Sequence, residues 1–327
     1  MRKLREMLDK ADINQFRFWT QIFFFALFIY GGWWALNWSE RLPVFACAFV
    51  QDRCGSCYLL GLQHQMTAPV SRMFSLAGLG ILTGFLTFLI WFVLLNKAWC
   101  GYACPLGTLQ DWITKIRSGI GVRRSQYSET GFKRLKRIKY ALLILLILIP
   151  LAIGNTIFGS GLSHEFEIPF CMICPGRTVL PIFNADFSQL MIDFSTSTKM
   201  ILTALGMAVT GGFFVGAFVK KRFFCLFCPM SALQYLLSRL SVLRLVKDGG
   251  KCTRCNNCVQ VCDVGIRQIA ENMEKGDILQ DDCMLCLKCV AACPENDCLQ
   301  LKFLNIPVFR STDTGFFCRM EKKERGI

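Results

Sequence analysis

Histidine is scarce in this chain, and its scarcity limits which prosthetic groups the chain can hold. Among 327 residues only His64 and His164 occur, and no Cys-x-x-Cys-His motif is present, which excludes a covalent haem attachment site. The two histidines could in principle ligate one haem b, although a polar histidine without a ligand is the commoner case. The chain also has no glycine-rich phosphate-binding loop, and we find no nucleotide or flavin site in it.

Acidic residues are also few: 23 Asp and Glu stand against 37 Lys and Arg, giving a net charge of +14. Such a charge often indicates nucleic-acid binding, but most of these bases flank long apolar stretches, where membrane orientation and lipid contact explain them. The residues are 53% hydrophobic and the mean hydropathy is +0.40. We therefore predict a membrane protein with a small polar domain and no nucleic-acid partner.

Four stretches without charged residues reach the length of about 20 residues that crosses a bilayer. They are Phe18–Trp38, Met73–Asn96, Tyr140–Ser163 and Met200–Val219. No small-residue cleavage site follows the first stretch, so we expect it to remain as an anchor. Lysine and arginine concentrate before the first span, between the second and third, and after the fourth. The positive-inside rule then predicts a multi-pass protein of a bacterial or archaeal cytoplasmic membrane, with both termini in the cytoplasm.

Two cysteine runs in the C-terminal third of the chain share one spacing. CTRCNNCVQVC and CMLCLKCVAACP both follow C-x2-C-x2-C-x3-C, which gives three thiolates to one [4Fe–4S] cluster and the fourth to its neighbour. The spacing predicts a first cluster on Cys252, Cys255, Cys258 and Cys293, and a second on Cys283, Cys286, Cys289 and Cys262. Structural zinc sites and disulfides are the alternatives, but zinc sites usually present two cysteine pairs rather than two interleaved runs.

One residue departs from the usual form of these runs. Asp263 stands where a proline often follows the fourth cysteine, whereas Pro294 keeps that place in the second run. A carboxylate there adds negative charge near one cluster, so we expect it to favour the oxidised form.

Eight further cysteines form four pairs, one after each predicted span. They are Cys54/Cys57, Cys100/Cys104, Cys171/Cys174 and Cys225/Cys228, followed by the similar stretches YLLGLQ, PLGTLQ, PGRTVL and PMSALQ. A glutamine stands six residues after the second cysteine in three cases, at Gln63, Gln110 and Gln234, and Leu180 takes that place in the fourth. This recurrence indicates a duplicated two-span unit with its halves parallel in the membrane.

The predicted sidedness sorts these pairs into two sets of four thiols. The outer set comprises Cys54, Cys57, Cys171 and Cys174, and the inner set comprises Cys100, Cys104, Cys225 and Cys228. Each set could hold one cluster, and a proline after a cysteine suits the first turn of a helix whose N–H groups face an anion. Disulfides compete at the outer face, idle thiols at the inner face, and a mononuclear or [2Fe–2S] site at either. We interpret Cys47, Cys298 and Cys318 as unligated.

Four clusters of this kind could carry electrons from the cytoplasm across the bilayer. Two interfacial clusters separated by about 30 Å of hydrocarbon would be too far apart for fast transfer. The clusters must therefore lie deep, another cofactor must bridge them, or the path is not continuous.

The stretches CGYACPLGTLQDW and RFFCLFCPMSALQYLLSR, followed by the two cysteine runs, resemble the NapH/NosR/MauN family of membrane iron–sulfur proteins. The resemblance covers most of the chain and implies membrane electron transfer, often from quinol toward periplasmic reductases or their maturation. It also implies ligands at the inner set. The Cys225/Cys228 spacing is one residue shorter than the family pattern, and the outer set is not part of that pattern.

Together these observations predict an α-helical membrane protein with four transmembrane helices, plus a small α+β domain like a two-[4Fe–4S] bacterial ferredoxin. The expected domains are a cytoplasmic segment, a four-helix membrane domain, a ferredoxin domain and a tail, at 1–17, 18–245, 246–304 and 305–327. The expected role is that of a redox subunit without a catalytic site of its own. It would pass electrons between a cytoplasmic or quinone-side partner and an extracytoplasmic redox protein within a membrane complex.

Two other functions use the same residues. A reductase could deliver electrons for maturation of an extracytoplasmic metalloenzyme through the same clusters. A transmembrane thiol–disulfide relay would instead cycle the outer pairs as disulfides and bind iron only in the ferredoxin domain. Iron content distinguishes the relay from the other two.

Overall fold

The computed structural model describes residues 12–34, 43–44, 46–51, 56–67, 76–122, 129–154, 168–279 and 282–324. Its helices are α1 (Ile13–Tyr30), α2 (Tyr58–Met66), α3 (Leu76–Leu95), α4 (Ala98–Tyr102), α5 (Pro105–Gly119), α6 (Glu129–Gly154), α7 (Pro169–Ile173), α8 (Pro175–Val179), α9 (Ser197–Val219), α10 (Pro229–Leu237), α11 (Asn257–Gln260), α12 (Gln268–Glu271), α13 (Lys288–Ala291) and α14 (Asp313–Glu324). Its strands are β1 (Pro43–Val44), β2 (Ser56–Cys57), β3 (Leu243–Lys247), β4 (Gly276–Asp277), β5 (Leu299–Phe303) and β6 (Ile306–Arg310). Short 3₁₀ turns lie at Gly31–Trp34, Pro181–Asn184, Ser188–Leu190, Phe223–Leu226, Ser238–Leu240 and Gly249–Lys251.

The chain divides into two compact units. The first unit comprises Met1–Ile22, Trp91–Ala103 and Gln234–Ile327. The second unit comprises Phe23–Ile90 and Cys104–Leu233.

Each predicted span overlaps one long helix, namely α1, α3, α6 or α9. Within the described residues, α9 is the one helix whose length and hydropathy would let it cross a membrane, and Leu86–Leu95 is a shorter apolar stretch. The α6 helix continues through Pro150. The four-span topology therefore stays a prediction.

The core of the second unit lies where α9 packs against shorter helices. Phe213 on α9 is buried with Phe25, Leu109, Val179 and Leu180, among others. The buried residues of α9 follow helical spacing along one face: Leu202, Thr203, Gly206, Thr210, Phe213 and Ala217. Small residues on that face let neighbouring backbones approach closely, as is usual for helices packed in a membrane.

One arginine satisfies the end of α9. Arg117 is 2% exposed, and its guanidinium donates to the carbonyl oxygens of Phe218 and Val219, at 2.7 and 2.9 Å. These carbonyls belong to the last turn of the helix, where no amide of the same helix can reach them. The contact therefore ties α5 to the end of α9.

The first unit is built on an antiparallel sheet with the strand order β4-β3-β5-β6. The strands β3 and β6 extend the sheet beyond both ends of the range 246–304 that the cysteine runs suggested. The helix α14 follows the sheet, and Arg319 on it donates to the carbonyl oxygen of Ala291 on α13. The residues after 304 thus continue the fold of the ferredoxin region.

Two segments distant in sequence complete the first unit. Asn96 donates to the carbonyl oxygen of Leu243 at 3.1 Å, and the amide of Val242 donates to that of Val93 at 3.0 Å. These bonds join the end of α3 to the start of β3. The first turns of α1 join the same unit through Arg17, whose contacts are described below.

The close approach of α9 to α7 gives a testable prediction. A Cβ atom on Gly206 would stand 2.6 Å from the carbonyl oxygen of Met172, whereas one on Gly211 would meet nothing within 4 Å. We expect Gly206→Ala to lower the free energy of unfolding by about 1–3 kcal/mol through overpacking. The matched control Gly211→Ala should leave it unchanged or raised by up to about 1 kcal/mol. Thermal unfolding in one detergent measures both, and equal effects would contradict the packing described for Gly206.

Candidate iron–sulfur sites

The two cysteine runs fold into loops with the same unusual backbone. Arg254 and Asn256 have φ of 57° and 60°, and Leu285 and Leu287 have φ of 47° and 61°. These residues flank the second cysteine of each run. The left-handed conformation costs a residue with a side chain roughly 1–2 kcal/mol, so four such residues in matched places indicate a functional constraint. Alternating right- and left-handed residues turn backbone N–H groups into a concavity that suits anions, including iron–sulfur clusters.

The fourth cysteine of the first run lies among the cysteines of the second. Burial raises the pKa of Cys289 well above its ordinary value, and the nearby Cys286, Cys283 and Cys262 raise it further. A cavity lined mainly by apolar side chains opens at the same place. Its walls include all four cysteines predicted for the second cluster, Cys262, Cys283, Cys286 and Cys289.

The fourth cysteine of the second run lies beside the first run in the same way. Burial raises the pKa of Cys258 to about 11, the Lys247 ammonium opposes that rise, and the nearby Cys293 and Cys255 add to it. The structure therefore brings each fourth cysteine to the opposite run, which is what interleaved ligation requires. The loops and the cysteine chemistry fit two [4Fe–4S] clusters, and the ligation itself stays a prediction.

The carboxylate of Asp263 is paired with two cations, and its expected effect on the oxidised form of a cluster stays a prediction. Arg17 on α1 donates to one carboxylate oxygen at 2.8 Å, and Lys288 on α13 contacts both oxygens at 2.8 and 2.9 Å. The Asp263 side chain is 1% exposed and that of Arg17 is 4% exposed. Two cations thus face one carboxylate, and the sequence alone could not reveal Arg17 as a partner 246 residues away.

Arg17 also binds the segment that carries Cys100. Its Nε donates to the carbonyl oxygen of Gly101 at 2.9 Å, and Gln21 donates to the same oxygen at 3.0 Å. A Cβ on Gly101 would stand 2.5 Å from the carbonyl oxygen of Met284, in the second cysteine run. The start of α1, the short helix α4 and the second cluster loop therefore meet around Asp263.

Cys298, interpreted from the sequence as an idle thiol, has a defined place. It is 1% exposed, and its sulfur lies 3.6 Å from the carbonyl oxygen of Asp248. A hydrogen bond between Cys298 and Cys293 lowers the pKa of Cys293 to about 7. No spacing signal in the sequence pointed to this contact, because Cys298 lies outside the repeated run.

The membrane-domain cysteines lie where short helices begin. Cys104, Cys174 and Cys228 directly precede α5, α8 and α10, and each of these helices starts with a proline. The amides of Leu106 and Gly107, in the first turn of α5, face the Cys104 sulfur and moderate the rise of its pKa, which burial brings to about 11. The predicted helix after each Cys-Pro step is thereby confirmed.

The shorter Cys225/Cys228 spacing has a structural explanation. Cys100 lies on the α-helix α4, where the amide of Ala103 bonds to the carbonyl of Trp99, four residues back. Cys225 lies on the 3₁₀ turn Phe223–Leu226, where the amide of Phe227 bonds to the carbonyl of Phe224, three residues back. The tighter turn uses one residue fewer before the next helix starts.

Three cysteines of the inner set lie together in the second unit. The pKa of Cys228 is raised to about 12 by burial and then by the nearby Cys104 and Cys225. Arg222 lies close enough to lower the pKa of Cys104, and it forms a buried two-pronged ion pair with Asp111, at 3.0 and 2.6 Å. Cys100 belongs to the first unit, so its place as fourth ligand rests on the sequence repeat.

Cys47 lies close to the cysteines of the outer set. Burial raises the pKa of Cys174 well above its ordinary value, and Cys47, Cys171 and Cys57 raise it further. Cys47 was interpreted as unligated, because it lies outside the four cysteine pairs of the repeat. Cys54 lies outside the described residues.

All cysteines in the described part of the chain are free thiols, and no three His, Cys, Asp or Glu side chains there have metal-binding geometry. The histidines do not form a described pair: His64 is exposed on α2, and His164 lies outside the described residues.

Comparison with known proteins identifies iron–sulfur domains in the same regions. The family model of a 4Fe-4S binding domain matches residues 77–123 and again 202–247, and the model of a 4Fe-4S dicluster domain matches 244–294. The two matches start 202 − 77 = 125 residues apart, which is also the separation of Cys100 and Cys225. This agrees with the repeat expected from the cysteine pairs.

Curated relatives include the ferredoxin-type protein NapH of Haemophilus influenzae, 25% identical over 86% of this chain and 88% of that protein. The putative electron transport protein YccM of Escherichia coli is 26% identical over 63% of this chain. Protein NirI of Paracoccus denitrificans is 26% identical over 58% of this chain. The matches span about half of YccM and a quarter of NirI. No solved structure matches.

The repeated 4Fe-4S domain matches and the ferredoxin-type relatives support an iron–sulfur electron-transfer role. Relatives named NapH, NosR and MauN, at 23–25% identity, support a NapH/NosR/MauN-type polyferredoxin family for this chain.

The buried carboxylate of Asp263 gives a testable prediction. Removing one partner from a buried, hydrogen-bonded ion network costs about 3 kcal/mol or more, because the remaining charges are left uncompensated. We expect Asp263→Asn to lower the free energy of unfolding of the purified protein by that amount. Lys275→Met is the matched control, because it breaks the exposed Lys275–Asp248 pair at 3.6 Å and should cost under about 1 kcal/mol. A loss for Asp263→Asn no larger than the control would contradict the role given to this network.

Proposed function

We propose that this protein is a membrane-integral electron-transfer subunit. It transfers single electrons between a cytoplasmic or quinol donor and an extracytoplasmic acceptor, and each quinol oxidised gives up two electrons and two protons. A bound [4Fe–4S] cluster supplies a one-electron couple. The observation that carries the proposal is that cysteines from the two halves of the repeat lie together, Cys57 with Cys171 and Cys104 with Cys228.

The residues that would hold the groups follow from the cysteine arrangement. Cys252, Cys255, Cys258 and Cys293 would hold the first ferredoxin cluster, and Cys283, Cys286, Cys289 and Cys262 the second. Cys100, Cys104, Cys225 and Cys228 would hold an inner cluster, and Cys54, Cys57, Cys171 and Cys174 an outer one. A redox complex with further subunits is supported by the relatives named NapH, NosR and MauN, of which MauN is named as a methylamine utilization protein.

Exposed apolar side chains support the membrane assignment. On α9, Ile201 and Val215 are 62% and 66% exposed, and Ile90 on α3 and Leu148 on α6 are 59% and 55% exposed. Bands of large apolar side chains on several long helices are unfavourable in water and suit lipid. We therefore propose that the four predicted spans cross the membrane, with both termini in the cytoplasm.

The iron content of anaerobically purified protein tests the proposal. Four clusters of this type predict about sixteen irons and matching acid-labile sulfide per chain. About twelve would remove the outer cluster, and with it the proposed path to an extracytoplasmic acceptor. About eight would overturn both membrane clusters and favour the thiol–disulfide relay.

Single substitutions locate the iron. We expect Cys228→Ser and Cys57→Ser each to lose about four irons and one reduced-state EPR signal. Cys318→Ser is the matched control, because Cys318 lies on α14 outside every predicted ligand set, and it should keep the full iron content. Cys47→Ser should also keep it, and a loss of iron there would move Cys47 into the outer ligand set.

A further inference from the structure

Three buried glutamines each contact a cysteine sulfur through the side-chain amide. Gln63, Gln110 and Gln234 are each 0% exposed. Gln63 Nε2 donates to Cys171 Sγ at 3.3 Å, and Gln110 Nε2 donates to Cys225 Sγ at 3.6 Å. Each glutamine follows a cysteine pair in one half of the repeat and touches the first cysteine of a pair in the other half.

The remaining contacts of Gln63 and Gln110 also match. The Nε2 group of each donates to the carbonyl four residues back, that of Leu59 at 2.9 Å and that of Leu106 at 3.2 Å. Their Oε1 atoms accept the amides of Phe170 and Phe224, the residues just before the contacted cysteines. Two fixed points hold each amide, so its remaining N–H is aimed at the sulfur.

Gln234 completes the pattern once its amide orientation is considered. Cys100 Sγ donates to its Oε1 at 2.8 Å, while its Nε2 is buried without a partner among the described atoms. Oxygen and nitrogen of a side-chain amide exchange on a half-turn and are assigned from the hydrogen-bond network. After such a half-turn of the Gln234 amide, its Nε2 donates to the Cys100 sulfur. This orientation also suits a ligating sulfur, which has no hydrogen to donate.

We propose that Gln63, Gln110 and Gln234 are positioning residues that each donate a hydrogen bond to a ligating sulfur. Because Leu180 stands at the fourth equivalent position and has no N–H group in its side chain, the outer set has one glutamine donor fewer than the inner set. This inference rests on the proposed membrane clusters. The sequence supports the asymmetry: an aromatic residue precedes the cysteine that each glutamine contacts, as Phe170, Phe224 and Trp99, whereas Arg53 precedes Cys54. By the repeat, Cys54 is the cysteine that a glutamine at position 180 would contact.

The expected effect follows from the charge of the reduced state. Reduction adds negative charge to a cluster and its sulfurs, and an N–H donor stabilises that charge, so each donor raises the reduction potential. The inner set has two such donors, Gln110 and Gln234. Among the described residues the outer set has one such glutamine donor, Gln63, so this interaction makes the outer couple the more reducing of the two.

Redox titration followed by EPR tests the inference in the full-length protein. The inner and outer signals are assigned as those lost in Cys228→Ser and Cys57→Ser. We expect Gln110→Leu to shift the inner couple, and Gln63→Leu the outer couple, to lower potential. Leu180 shows that leucine is accommodated at the equivalent position of this chain. Gln268→Leu, exposed on α12, is the matched control and should shift neither.

The reverse substitution keeps the test decisive if a glutamine variant fails to assemble. Leu180→Gln adds the missing donor and should raise the outer potential alone. If the glutamines only stabilise the fold, their substitution would lower the stability of the protein and leave both reduction potentials unchanged. That result would overturn the inference. Wild-type protein with about eight irons would instead overturn the proposed function on which it rests.

Discussion

A sulfur atom that carries negative charge away from water must be met by N–H groups or cations, and this requirement shapes the cysteine-bearing parts of the chain. The ferredoxin loops have left-handed residues at Arg254, Asn256, Leu285 and Leu287, a backbone form that suits anion binding. At the membrane-domain pairs the requirement is met by the first turns of helices and by glutamine amides. The left-handed backbone residues carry a free-energy cost of conformational strain. The buried glutamines carry the cost of removing an amide from water, which is offset only when all of its hydrogen bonds are made.

Buried charge in the first unit obeys the same requirement. Asp263 lies between Arg17 and Lys288, and Lys247 is buried with its ammonium on the carbonyls of Ile269 and Ala270. Each of these groups is paired, so the loops around the cysteines are held by directional bonds as well as by apolar packing. Such bonds specify one arrangement of the loops, which apolar packing alone does less sharply.

Local patterns predicted local structure well. The C-x2-C-x2-C-x3-C spacing anticipated which cysteines lie together, and the Cys-Pro steps anticipated the starts of α5, α8 and α10. The recurring glutamine was visible as a repeat, but its contact with the opposite cysteine pair was not. Cys47 and Arg17 were missed because their partners lie far along the chain, and no spacing rule reports such contacts. The hydropathy of α9 agrees with its predicted span.

The pairing of Arg17 with Asp263 has a consequence for biosynthesis. The two residues are 246 positions apart, and Arg17 leaves the ribosome long before its partner exists. At an elongation rate of about 5–20 residues per second the delay is about 12–50 s, which is long compared with helix formation. Throughout that interval the first turns of α1 lack the carboxylate that neutralises them. A chain that ends before Asp263 therefore lacks the buried carboxylate partner of Arg17.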